Sequence, residues 1–295
     1  MKEKTIYALG FFDGVHLGHQ ALLSACCELA NARGCATAAL TFRLSPTAVL
    51  TNQSANTITT LHDRATLLKQ YGMETVMVFE TDRQTLSIPW QEFLRHLIDK
   101  GAVGFVCGED FRFGQGGEGN AALLQEFCKE NGLFCRIVPD ELMDGERISS
   151  TRIRTLLEQG ELTRANRLLG HPYVLTGQVA KGKQLGRTLE FPTANIFLPE
   201  DVLCPKLGVY ACKALFDGKE YLAVTNIGTR PTVSGEGITV EAHLLDFYGD
   251  LYGKALTLRF YQFLRPEQKF DSLEQLQEEI QKNTLQTRNF FEKSE

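Results

Sequence analysis

The sequence predicts two domains of different class: an α/β half built on a parallel sheet, then a small antiparallel β-barrel with a C-terminal helix. Three observations support this. As far as residue 170, short apolar runs alternate with segments of helical periodicity, the pattern of strands joined by crossover helices. Beyond it the segments become short and strand-like, with polar turns between them, as in a small barrel. The last segment, 271–283, sets Leu273, Leu276 and Ile280 against an opposite polar face, the signature of an amphipathic helix.

The first half reads element by element. TIYALGF (5–11) precedes a helical stretch over 18–33, and ATAALTF (36–42) precedes another over 61–71. TVMVF (75–79) leads to 89–100, where Phe93, Leu94, Leu97 and Ile98 recur at helical spacing. VGFVCG (103–108) leads to 120–132, and LFCRIV (133–138) follows. Two short helices, 151–159 and 161–169, close this half. The texture changes at LLGHPY (168–173), so the boundary falls near 170, giving domains 1–170 and 171–295. Strands are expected over 173–181, 207–216, 220–228, 237–246 and 255–264. The turns between them are KGKQLG, DGKE, SGEG and YGDLYG.

Composition narrows the function classes. With 295 residues the chain is long enough for two cores. Its net charge is −5, and each half is slightly acidic. A nucleic-acid partner therefore has no electrostatic footprint. Eight cysteines are scattered without a CxxC pair or zinc spacing, so they read as reduced, mostly buried thiols. The N-terminus MKEKTIYALG has no signal-peptide pattern, and no apolar run approaches the roughly 20 residues of a membrane span. A cytoplasmic protein with no membrane partner is expected. The sequence carries no signal of oligomeric state.

The motifs turn these classes into chemistry. In IYALGFFDGVHLGHQALL (6–23) an apolar strand runs into Gly14, His16, Gly18 and His19, and then into a helix. Strand, glycine turn and helix start form a phosphate-binding layout, because unpaired N–H groups and the positive end of the helix dipole converge there. Ser149, Ser150 and Thr151 in ISSTRIR (148–154) sit at a second expected helix start. Asp110, Phe111 and Arg112 follow an apolar strand, where open α/β sheets bind ligands. The glycines at 114, 116, 117 and 119 permit a flap. In the second half, Thr193 and Asn195 of FPTANI are two apart on an extended run and present oxygens to one face, a donor type that suits Mg²⁺. In TVEAHLLDF (239–247), Glu241 and His243 alternate with Val240, Ala242 and Leu244.

Taken together, FDGVHLGH, VCGEDFRFGQGGEG, ISSTRIR, GKQLGRTLEFPTANI, NIGTRPT and FLRPEQKF resemble the bifunctional bacterial riboflavin kinase/FMN adenylyltransferase (FAD synthetase) family. That resemblance implies a Rossmann-like nucleotidylyltransferase domain followed by a Greek-key kinase barrel. It also implies ATP as co-substrate, riboflavin, FMN and FAD as substrates and products, and Mg²⁺. By resemblance, His16 and His19 donate to the ATP phosphates at the adenylyltransferase site. Gly10, Phe12, Asp13, Gly14, Gly18, Ser149, Ser150, Thr151 and Arg154 complete its ATP side, and Arg152 is read with them as a further cation. Asp110, Phe111 and Arg112 lie on its FMN side. At the kinase site the resemblance makes Glu241 the general base and Thr193 and Asn195 the metal ligands. Gly182, Lys183, Gly186, Arg187, Pro192 and Arg265 surround ATP and flavin there.

Three positions depart from the family pattern. Phe11 stands where the family usually has Asn, Leu44 and Ser45 replace a usual Pro-His pair in TFRLSP, and Glu190 replaces a usual Gly. A single-activity paralogue and a non-catalytic flavin-binding sensor therefore stay open as alternatives to the bifunctional enzyme.

Overall fold

The computed structural model describes residues 3–51, 56–180, 193–232 and 235–293. The chain divides into two units, one of Met1–Thr57 with Leu61–Ser150, the other of Ile58–Thr60 with Thr151–Glu295.

The first unit follows the predicted alternation: β1 (Thr5–Leu9), α1 (Leu17–Arg33), β2 (Ala36–Phe42), α2 (Pro46–Thr51), α3 (Leu61–Gln70), β3 (Thr75–Phe79), α4 (Trp90–Asp99), β4 (Ala102–Gly108), α5 (Ala121–Glu130) and β5 (Phe134–Val138). The five strands are parallel in the order β3-β2-β1-β4-β5. Central β1 is buried at every residue, as helices on both faces of a parallel sheet require. Tyr7 and Leu9 of β1 join Leu40, Phe105 and Cys107 in one core with Phe93, Leu97, Leu124 and Phe127. The strand order reverses between β1 and β4, and ligands of open α/β sheets bind outside the carboxyl ends of the strands at such a point. GFFDGVHLGH leaves β1 there, and GEDFRFG leaves β4.

Two short elements of this unit lie outside the sequence expectations. One is α2. The other is the hairpin β6 (Leu142–Met143) and β7 (Glu146–Arg147), turned by Asp144 and Gly145, both at positive φ. Arms of two residues are too short to show alternation.

The second unit opens with α6 (Ser150–Gln159, whose first residue belongs to the first unit) and α7 (Leu162–Leu169). It continues through β8 (Tyr173–Gln178), β9 (Ala194–Phe197), β10 (Gly208–Phe216), β11 (Lys219–Thr232), β12 (Gly235–Leu244), β13 (Ala255–Arg265) and α8 (Leu273–Glu292). The sheet order is β8-β13-β10-β11-β12-β9, antiparallel throughout. The five expected strands are present with shifted ends, and PTAN contributes the sixth. The two outer strands meet: the Ala180 N–H donates to the Asn195 carbonyl at 2.8 Å. At Gly177 an added Cβ would lie 2.2 Å from Ile196 Cγ2, so only glycine allows β8 to approach β9 and the sheet to curl toward closure.

The Ser272 hydroxyl caps α8 by accepting the Gln275 N–H at 3.3 Å. This helix runs well past the expected end at 283, because its buried stripe continues through Asn283, Thr287 and Phe291. Polar residues in the buried stripe hide its period.

Gly177→Ala is expected to destabilise the second unit by about 1–3 kcal/mol through overpacking. Thermal unfolding of the single variant and of Gly177→Ala with Ile196→Ala checks this. The pair should be less destabilised than the sum of its parts.

Candidate active sites

The turn after β1 is unusually constrained. Phe12 (φ 57°) and Val15 (φ 43°) both sit in the left-handed region and are buried. Such backbone is costly for bulky and β-branched residues and persists where the surroundings enforce it. The surroundings here are specific. Gln20 Nε2 donates to the Val15 carbonyl at 2.8 Å. The Phe11 carbonyl accepts from Thr41 Oγ1 at 2.7 Å and from Arg64 Nη1 at 3.0 Å. Arg64 is 1% exposed, and its guanidinium lies 4.5 Å from the Phe11 ring centroid. Helical periodicity gave no reason to bury an arginine, so Arg64 was not foreseen.

α1 starts on an imidazole. His16 is its N-cap, with Nδ1 accepting the His19 N–H at 3.3 Å. Accepting at Nδ1 places the proton of the neutral ring on Nε2. An added Cβ at Gly18 would lie 3.3 Å from the His16 ring, so glycine lets the ring lie against the helix start. The His16 and His19 rings stack at 3.6 Å, and Phe12 meets His19 edge-on at 5.3 Å. His19 Nδ1 is buried and makes no hydrogen bond. Burial first, then the charges of His16, Arg64 and Arg147, hold His19 well below the usual imidazole range. His19 is therefore suited to donate as a neutral N–H group.

Within the first unit, the structure brings Ser150 of the second motif to the first motif. Ser150 Oγ donates to the Asp13 carbonyl at 2.9 Å. Ser149 precedes it, while Thr151, Arg152 and Arg154 occupy the first turns of α6 in the second unit. At the end of β4, Asp110 pairs with Arg147, whose Nε reaches Asp140 at 3.0 Å. Phe111 stacks on buried Phe113 at 5.6 Å, so part of its role is packing. Arg112 is exposed. The glycine-rich segment is clipped shut rather than open: Phe113 and Gly119 exchange backbone bonds at 3.1 and 2.9 Å, and the Gln115 N–H reaches the Ile88 carbonyl at 2.8 Å.

A cleft of about 650 Å³ is lined by Phe11, Phe42, Ser45, Phe79, Arg112 and Phe113 among others. Two of the departures from the family pattern thus face one space, and each has a local role. Ser45 Oγ accepts the Ala48 N–H at 3.5 Å at the start of α2. The Leu44 N–H, which proline would lack, donates to Thr81 Oγ1 at 3.1 Å.

In the second unit the register does the assembling. Glu241 on β12 lies directly opposite Asn226 on β11 and Asn195 on β9. Cross-strand partners share a face, so a carboxylate stands between two amides. Asn195 is buried, and its Nδ2 donates to the Thr193 carbonyl at 3.4 Å. Thr193, Asn226, Glu241, His243 and Arg265 line a pocket of about 300 Å³ with Glu267 and residues of α8. Arg265 Nε reaches both Asn283 Oδ1 and Glu279 Oε1 at 3.1 Å, so this side chain ties α8 to β13 beside the pocket. Asn226 was missed in the sequence, because a register cannot be read from one strand. Gly182, Lys183, Gly186, Arg187, Glu190 and Pro192 lie outside the described residues.

Among the described residues no group of three or more His, Cys, Asp or Glu is arranged to hold a metal ion. Among them, too, no helix is long and apolar enough to cross a membrane.

Comparison with known proteins agrees with this geometry half by half. The FAD synthetase family model matches residues 1–152 and the riboflavin kinase family model matches residues 169–291. A bifunctional riboflavin kinase/FMN adenylyltransferase from Listeria monocytogenes is 39% identical, over 98% of this chain and 93% of its own. The protein of that name from Escherichia coli is 38% identical, over 98% and 94%. The crystal structure of a macrolide-efflux protein from Streptococcus pneumoniae matches with a TM-score of 0.86 at 30% identity, over 98% of this chain and 95% of that one.

A lowered His19 pKa has a consequence for stability. Below about pH 6.5 the unfolded chain binds a proton at this histidine that the folded chain does not, so stability is lost as pH falls. Urea midpoints measured from pH 7.5 down to pH 5 should decline, and His19→Asn should flatten part of that decline.

Proposed function

The chain belongs to the bifunctional riboflavin kinase/FMN adenylyltransferase family, and from that membership we propose how its two sites divide the work. The enzyme phosphorylates riboflavin with ATP to give FMN, and adenylylates FMN with ATP to give FAD and pyrophosphate. Residues 1–170 carry the adenylyltransferase and residues 171–295 the kinase. The observation that carries this assignment is the placement of the motifs: one set flanks the switch point of the parallel sheet, the other shares one face of the barrel.

At the adenylyltransferase site an oxygen of the FMN phosphate attacks the α-phosphorus of ATP, and the bond to the bridging oxygen of pyrophosphate breaks. Little covalent work falls to the protein, so positioning and charge stabilisation carry the step. His16 and His19 donate N–H groups to the phosphates as charge builds on the leaving pyrophosphate. Gly10, Phe12, Asp13, Gly14 and Gly18 bring the backbone to ATP, with Ser149, Ser150, Thr151 and Arg154 on the same nucleotide. The aromatic cleft takes the flavin, with Asp110, Phe111 and Arg112 on the FMN side.

At the kinase site Glu241 accepts the proton of the riboflavin 5′-hydroxyl as that oxygen attacks the γ-phosphorus of ATP and ADP leaves. Asn226 and Asn195 flank the carboxylate and hold its direction. Thr193 and Asn195 offer neutral oxygens, a donor set that suits Mg²⁺ shared with substrate phosphates. Bound there, the ion would neutralise phosphate charge. Gly182, Lys183, Gly186 and Arg187 are assigned to the ATP phosphates, and Pro192 and Arg265 to ATP or flavin. All eight cysteines are free, which supports a reducing, cytoplasmic setting.

Purified protein incubated with riboflavin, ATP and Mg²⁺ should yield FMN and then FAD, resolved by chromatography. FMN without FAD would leave a kinase alone. FAD from added FMN, with none from riboflavin, would leave an adenylyltransferase alone. Tight flavin binding without ATP consumption would mark a sensor. Glu241→Gln should slow FMN formation by about 10²–10⁴-fold while sparing FAD formation from FMN, and His19→Ala should do the converse.

A further inference from the structure

The first unit buries a charge to which neither reaction assigns a part. Arg64 on α3 is 1% exposed. Taking a guanidinium out of water is costly, and an apolar side chain of similar volume often serves stability as well or better. Bulk alone therefore does not account for an arginine at this position. Its hydrogen bonds are directed mainly at main chain. Nη1 donates to the Phe11 carbonyl at 3.0 Å and to Thr41 Oγ1 at 3.3 Å, and Nη2 donates to the Arg43 carbonyl at 3.5 Å. Thr41 Oγ1 in turn donates to the same Phe11 carbonyl at 2.7 Å. One planar fork thus joins the chain leaving β1 to the chain leaving β2, and the Phe11 ring lies against it.

What the fork holds is a peptide plane. The Phe11 carbonyl belongs to the plane whose rotation sets φ of Phe12, so fixing it holds Phe12 at its costly φ of 57°. The Phe12 ring lies over Gly10, where an added Cβ would come within 3.0 Å of Cζ. The same ring meets His19 edge-on, and His19 stacks on His16. The contacts from guanidinium to imidazoles are continuous. We propose that Arg64 is a positioning residue of adenylyl transfer: its buried fork fixes the Phe11 carbonyl and, through Phe12, the placement of the His16–His19 stack. Arg64 itself touches no substrate. This role presupposes that the two histidines serve the ATP phosphates. A displacement of about 1 Å at a reacting site costs on the order of 10²-fold in rate, so the loss on removing the fork falls on kcat.

The test uses two full-length variants. Arg64→Met keeps much of the volume and removes the fork; Thr41→Val keeps the shape and removes the second donor to the Phe11 carbonyl. FAD formation from FMN and ATP is measured beside FMN formation from riboflavin, which reports on the second unit of the same molecule. In Arg64→Met, kcat for FAD formation should fall about 10²-fold, with KM for ATP and for FMN within about threefold of wild type and FMN formation unchanged. Thr41→Val should move kcat in the same direction by a smaller factor. The double variant should lose less than the product of the two factors, because both donors act on one carbonyl. Imidazole NMR spectra, which need no turnover, should show the His16 and His19 signals moved in both variants and those of His96 and His171 unmoved. A folded Arg64→Met with wild-type kcat, a loss confined to KM, a parallel fall in FMN formation, or unmoved His16 and His19 signals would overturn the proposal. If Arg64→Met fails to fold, the same readings on Thr41→Val decide. Wild-type protein that makes no FAD from FMN would show instead that the histidines serve no adenylyl transfer, and the role of Arg64 would fall with theirs.

Discussion

The first unit's chemistry depends on the way α1 begins. A helix leaves its first N–H groups unpaired, and here one of them is met by an imidazole rather than by Ser, Thr, Asp or Asn. That choice has consequences in both directions. It fixes the tautomer of His16, so its remaining N–H lies on the opposite side of the ring. It also brings the His19 ring, one turn along, into a stack with His16. The strained backbone at Phe12 and Val15 delivers the chain to this cap. The buried guanidinium of Arg64 holds the carbonyl of Phe11 just before it. A substitution at Arg64, far from any phosphate motif in the sequence, thus acts on the histidines through the path of the main chain.

The barrel reaches a comparable result by another route. No cap or strained turn is needed to place Glu241 between two amides, because antiparallel pairing brings Asn226 and Asn195 beside it once the register is set. Register in turn depends on closure, and closure on Gly177 accepting Ile196. One glycine on β8 is thereby linked to the surroundings of a carboxylate on β12.

Much of this was legible in the sequence because each feature was local. Alternating apolar runs marked the parallel strands, and glycine with histidine marked the turn after β1. The Thr-x-Asn spacing marked one strand face. What escaped notice was set by distant partners. Arg64 looks like an ordinary surface position on a helix until the turn folds over it. Asn226 gains meaning only from a neighbouring strand. The departure at Phe11 looked like the loss of an amide; in the fold its carbonyl is anchored and its ring packs under a guanidinium. Leu44 gives the chain a backbone donor that proline would lack, and Ser45 helps cap a short helix.

The central claim is that two separate sites act in sequence on one flavin, and complementation tests it most directly. His19→Ala and Glu241→Gln proteins, each purified and shown to be folded, are mixed in equal amounts with riboflavin, ATP and Mg²⁺. The account predicts FAD from the mixture, made from FMN released by the first variant and adenylylated by the second, and no FAD from either alone. A mixture that makes no FAD, or a single variant that converts riboflavin to FAD unaided, would contradict it.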